Sequence, residues 1–135
     1  MTDAATKVTF ELATPDRLWL SVEADMVVVP GREGDFGVLP GHAPLISSIR
    51  PGVIDVHQGD QISDRIFVAD GFADVVNSRC TVLTGEAMHL SDVDRSAAEK
   101  RLKDAEQALA QAADDAKAHA ESAVAVAEAL VAALR

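Results

Sequence analysis

The 135-residue chain has no tyrosine, one tryptophan and a single cysteine, and its 22 acidic side chains outnumber 12 Lys and Arg for a formal charge of -10. Each shortage excludes something. One Cys, Cys80, rules out an internal disulfide and a thiolate cluster for zinc. The shortage of clustered Lys and Arg argues against a nucleic-acid binder and against an anionic-lipid surface, both of which need basic patches. No apolar run approaches the roughly 20 residues of a membrane-spanning helix. The start MTDAATKVTF lacks a basic stretch followed by an apolar one, so the expectation is a soluble, unexported, unprocessed protein. Aromatics are too few for a carbohydrate or single-strand stacking surface.

Catalytic constellations are also missing. His42, His57, His89 and His119 show no metal-ligand spacing, and no Gly-rich loop ends in Lys followed by Ser or Thr. Cys80, between Arg79 and Thr81, reads as a small strand thiol rather than a nucleophile. Trp19 and the Phe residues read as core or interface.

Breakers are absent from the second part of the chain: no Pro follows Pro51 and no Gly follows Gly85. That marks a boundary near residues 85 to 91 and two units, 1–87 and 88–135. Before it, apolar residues alternate, as in Val8, Phe10 and Leu12, then Leu18, Leu20 and Val22. Period two means half-buried strands. Turns such as Pro51-Gly52, Gln58-Gly59-Asp60 and Asp70-Gly71 separate further short runs, among them Met26 to Val29, Val38-Leu39 and Cys80 to Leu83. Roughly eight to ten short strands at this spacing predict an all-β sandwich or flattened barrel.

Beyond the boundary Ala dominates with Glu, Gln, Lys and Leu, a composition of high helix propensity. The pattern predicts an antiparallel helical hairpin. Ser91 or Asp92 caps the first helix, whose face carries Leu102, Ala105, Leu109 and Ala112. Asp114-Asp115 interrupts and caps the second, lined by Ala123, Ala127, Leu130 and Leu134 with Val124 and Val131 alongside. Stripes this rich in Ala bury little area, so the hairpin is expected to be marginally stable by itself.

The stretch Val29-Pro30-Gly31-Arg32-Glu33-Gly34-Asp35-Phe36-Gly37-Val38-Leu39-Pro40-Gly41-His42-Ala43-Pro44 closely resembles the signature segment of F-type ATP synthase epsilon subunits. Its glycines allow tight backbone turns, and Pro40 and Pro44 stiffen the loop around Gly41-His42. Arg50-Pro51-Gly52-Val53 and Asp70-Gly71-Phe72-Ala73-Asp74-Val75 stand where two further family motifs do. The resemblance covers nearly the whole chain.

What the resemblance implies is a non-catalytic rotor protein in the central stalk, touching the gamma subunit and the ring of c subunits and passing proton-driven rotation between them. It also implies a peripheral position on the cytoplasmic face of the bacterial inner membrane. Asp35 and His42 match family residues near the polar loops of the c ring, and Arg32 and Glu33 flank them as further candidate contacts. In many relatives the terminal helices extend toward the alpha and beta catalytic subunits and inhibit hydrolysis, and some relatives bind ATP there. Asp92, Arg95 and Arg101 match that ATP-binding pattern, Arg101 about two helical turns beyond Arg95. Ser91 and Ser96 depart from it and Asp94 adds negative charge, so a capped helix start is favoured over an ATP site and no cofactor is expected. Lys117, His119 and Arg135 on the last helix are opposed by Asp115, Glu121 and Glu128, which predicts weak inhibition or none. A free-standing adaptor and a soluble ATP sensor are the competing readings.

Overall fold

The computed structural model describes residues 6–135. Ten strands run in order: β1 (Val8–Thr14), β2 (Arg17–Ala24), β3 (Met26–Gly31), β4 (Gly34–Val38), β5 (Leu45–Ser48), β6 (Gly52–Gln58), β7 (Gln61–Val68), β8 (Phe72–Val76), β9 (Arg79–Leu83) and β10 (Ala87–His89). They form two five-stranded sheets, β2-β1-β9-β8-β5 and β10-β7-β6-β3-β4. Every pairing is antiparallel except β1 with β9. The expected sandwich is present, and its last strand straddles residue 87.

The inner faces of the sheets close on each other. Val8, Phe10 and Leu12 of β1, Val27 and Val29 of β3, Ile54 and Val56 of β6, and Ile66 and Val68 of β7 all enter this core. Their two-residue spacing is the sequence alternation made physical.

The alternation fails at one place. Leu18 was expected inside with Leu20 and Val22, yet it is exposed while the other two pack against the core. Leu12 pairs with Leu20 and Ala13 with Leu18, leaving Trp19 as the extra residue of a bulge. A bulge shifts the side-chain phase by one, which turns Leu18 outward. Trp19 uses its place: its Nε1 donates to Thr14 Oγ1 at 2.9 Å, and the Arg17 guanidinium lies 3.6 Å above its ring. Its ring centroid stands 5.8 Å from that of His89 at the end of β10.

The Gly-rich segment is also more regular than its composition predicted. Only Gly31 to Gly34 makes the turn; Asp35, Phe36 and Gly37 continue as β4, paired with Pro30, Val29 and Val28. A strand was expected only at Val38-Leu39. Backbone pairing needs no side chain, so Gly37 fits an edge strand, where an added Cβ would come within 3.3 Å of Met26.

A 3-10 turn, Leu90–Asp92, leads to α1 (Arg95–Ala110), and a second, Asp114–Ala116, to α2 (Lys117–Ala133). The cap of α1 is Asp94, accepting from Ala97 N at 3.2 Å, rather than Ser91 or Asp92, which the 3-10 turn holds away from the helix start. Asp114 and Asp115 do interrupt the helices, but they open a 3-10 turn and make no side-chain cap for α2. The α2 stripe runs Ala120, Val124, Ala127, Leu130, Val131 and Leu134, as expected except that Ala123 is exposed. The hairpin lies on the outer face of the second sheet, where Phe67 of β7 packs with Ala98, Leu130 and Val131.

Gly71 has φ +119° in the β7–β8 turn, and a Cβ there would lie 2.0 Å from Leu83 O. Gly59 has φ +62° but open space around it. Gly71→Ala is therefore expected to destabilise by at least about 3 kcal/mol, against about 1–2 kcal/mol for Gly59→Ala. The readout is the urea midpoint at unchanged slope; equal effects would contradict the account.

Candidate functional surfaces

The β3–β4 turn holds three of the residues singled out above. Arg32 and Glu33 form its exposed tip, and Asp35 follows on β4. Arg50, just after β5, ties the turn down by donating to Gly31 O and Asp35 Oδ1 at 2.5 Å each. Gly31 must be glycine because a Cβ would sit 2.8 Å from Gly34 O and 2.9 Å from the Phe36 ring. The turn is thus a rigid presentation of mixed charge.

His42 is elsewhere. It follows the far end of β4, in a loop where Gly41 N donates to Ser78 Oγ at 2.8 Å. Ser78 belongs to the β8–β9 turn, while Arg32 lies by Asp70 and Gly71 of the β7–β8 turn, at the opposite end of β8. The four residues therefore do not form one cluster. They are strung along the sandwich edge formed by β4 and β5, between which runs a groove of about 480 Å³.

The outer face of the first sheet carries a feature the motifs did not reveal. Cross-strand pairing aligns Ser48 with Phe72, Phe72 with Leu83, Leu83 with Ala13, and Ala13 with Leu18. This row crosses all five strands of the sheet. Phe72, Leu83 and Leu18 are 60%, 58% and 59% exposed, and Ile46 on the neighbouring row of β5 is 74% exposed. Beside Phe72 and Leu83 a largely apolar cavity of about 670 Å³ opens, with Arg32, Asp70 and Thr84 among its lining residues. A signal was readable: in Phe72-Ala73-Asp74-Val75 the buried phase is Ala73 and Val75, so the large aromatic rides with Asp74 on the outside.

At the root of the hairpin, Asp92 and Arg101 line a small cavity of about 260 Å³ with Met88 and Leu130, but Arg95 does not. Six residues advance roughly 600° around a helix, leaving about 120° between Arg95 and Arg101. Arg95 instead reaches Glu99 at 3.4 Å. Arg101 makes a two-pronged pair with Glu86 at 2.8 and 2.9 Å, which holds the guanidinium pKa further above its ordinary value. Glu86 was not singled out by sequence, since nothing local links it to a residue in the following helix.

Among the described residues no three His, Cys, Asp or Glu converge on a metal-sized site. Cys80 is fully buried, and burial, aided by Asp74, pushes its thiol up to about 12. A nucleophile needs the opposite.

The description "ATP synthase, Delta/Epsilon chain, beta-sandwich domain" fits residues 7–90, the sandwich and the first step of the following turn. The chain belongs to the ATP synthase delta/epsilon family. The ATP synthase epsilon chain of Rhodospirillum rubrum is 51% identical over 125 residues, covering 92% of this chain and 93% of that one. That of Paramagnetospirillum magneticum is 50% identical over 131 residues, covering 96% and 98%. In fold the chain matches one from the Euglena gracilis mitochondrial ATP synthase structure of OSCP, F1 and c-ring, with TM-score 0.86, 24% identity and coverage of 99% and 85%. A chain of the Tetrahymena thermophila mitochondrial ATP synthase central stalk and c-ring gives TM-score 0.68 at 10% identity, covering 99% and 100%. Unlike the sandwich description, both epsilon relatives extend into the hairpin.

Proposed function

We propose that the chain is a non-catalytic central-stalk subunit of an F-type ATP synthase, seated between gamma and the c ring and transmitting proton-driven rotation from one to the other. The observation that carries this reading is the asymmetry of the two outer faces. The hairpin covers one sheet, whereas the other presents Phe72, Leu83 and Leu18 to solvent. A row of large apolar side chains across a sheet marks a surface that meets another protein. In this reading the partner on that face is gamma.

The β4–β5 edge suits a second contact. Arg32, Glu33, Asp35 and His42 lie along it, with Leu39 and Ile46 exposed beside them. Contact with the c ring is then edge-on, not through one loop tip. A sandwich with a closely packed core deforms little, which a torque-bearing element requires. No helix among the described residues is long and apolar enough to cross a membrane, and we place the subunit peripherally on the cytoplasmic face of the bacterial inner membrane.

The hairpin root reads as a helix start, not an ATP site, because Glu99 and Glu86 already engage Arg95 and Arg101. Inhibition of hydrolysis by α2 is weak in this reading, since Lys117 and His119 on the helix and Arg135 after it are offset by Glu121 and Glu128 on the helix and Asp115 just before it. Complementarity to an acidic partner is correspondingly poor.

The double variant Phe72→Asp/Leu83→Asp should keep its urea midpoint and lose roughly tenfold or more in affinity for gamma. Exchanging the charges of Arg32 and Asp35 should spare gamma and weaken attachment to the c ring. Undiminished binding of both variants in titrations against purified rotor subcomplexes would contradict the reading. Removing the hairpin after Leu90 should leave ATP hydrolysis by the assembled enzyme essentially unchanged. A sharp rise would show instead that α2 inhibits.

A further inference from the structure

The hairpin meets the sandwich through one apolar seam, in which Val53, Met88, Leu102 and Leu134 are among the half-buried side chains. Its buried side chains at the junction are Ala98, Leu130 and Val131, set against Phe67 and Ala69. Two Ala-rich helices of 16 and 17 residues are marginal in water without such docking. Across this apolar contact runs one ion pair, Arg101 to Glu86. Among the described residues it is the only salt bridge between hairpin and sandwich; the others lie within the sandwich or within α1.

Glu86 is aimed by the sandwich. Its carbonyl accepts from Ala69 N at 3.1 Å, and its N–H points to Thr84 Oγ1 at 3.4 Å. Thr84 Oγ1 lies 3.2 Å from Asp70 Oδ1, which also accepts from Gly85 N at 2.9 Å. Asp70 therefore organises the turn that presents Glu86 through its hydrogen bonds to Thr84 and Gly85. Thr84 and Gly85 also line the cavity of about 670 Å³ beside Phe72 and Leu83. One short turn thus has the cavity on one side and, on the other, the one ion pair among the described residues that joins hairpin to sandwich.

We propose that the Glu86–Arg101 pair is the latch of the hairpin, and that Asp70, through the Thr84–Gly85 turn, is the positioning residue that sets it. Hairpin docking is a property of the isolated chain, so the test needs no partner and its result is separate from the rotor reading.

The measurement is amide hydrogen exchange on the full chain, comparing α1 and α2 with β1, β6 and β9. Glu86→Gln should speed exchange in both helices roughly tenfold while the strands stay as in the wild type. Arg101→Gln should do the same, and the double variant no more than either alone. The pair is partly exposed, so raising the salt concentration should shrink the difference between wild type and Glu86→Gln. Asp70→Asn should speed helix exchange by less than Glu86→Gln, and combining the two should add nothing. Wild-type exchange in Glu86→Gln, additive single variants, acceleration spreading into the strands, or a difference indifferent to salt would each overturn the latch. Unchanged helix exchange in Asp70→Asn would overturn its positioning by Asp70.

Discussion

The structure depends on one constraint: two five-stranded sheets must close their inner faces on each other, and every outward side chain is left to a different fate. Phe10, Leu12, Ile54, Ile66 and the valines of β1, β3 and β6 satisfy that closure at two-residue spacing. Once the inner phase is fixed, Phe67 and Val53 on the second sheet, and Phe72 and Leu83 on the first, must point away from the core. The first pair found cover within the chain, under the hairpin. The second pair did not, and it stays on the surface as a face suited to meeting another protein.

Much of this was legible in the sequence. Alternation at Val8, Phe10 and Leu12 and the loss of Pro and Gly after Gly85 were enough for a sandwich followed by a helical hairpin, because period and breakers are local properties. The misreadings share a cause. The Trp19 bulge, the continuation of β4 through Gly37 and the choice of Asp94 as cap depend on register and on neighbours distant in sequence. So does the Glu86–Arg101 pair, whose partners are brought together by the path of the chain around Leu90 to Asp92. The signature segment identified the family, but it could not show that His42 and Arg32 lie toward opposite ends of one edge.

The parts suit a body that transmits load. The sandwich is stiff, its charged turn is tied down by Arg50, and its apolar row is straight across the strands. The hairpin is made of Ala-rich helices docked through one apolar seam and joined to the sandwich, among the described residues, by one ion pair.

The central claim, that this chain couples rotation to catalysis, is tested most directly by ATP-driven proton pumping in membranes whose ATP synthase has been stripped of its own epsilon subunit. Adding the purified chain should restore pumping at one copy per enzyme. Binding without recovery of pumping, or no binding at all, would contradict the account.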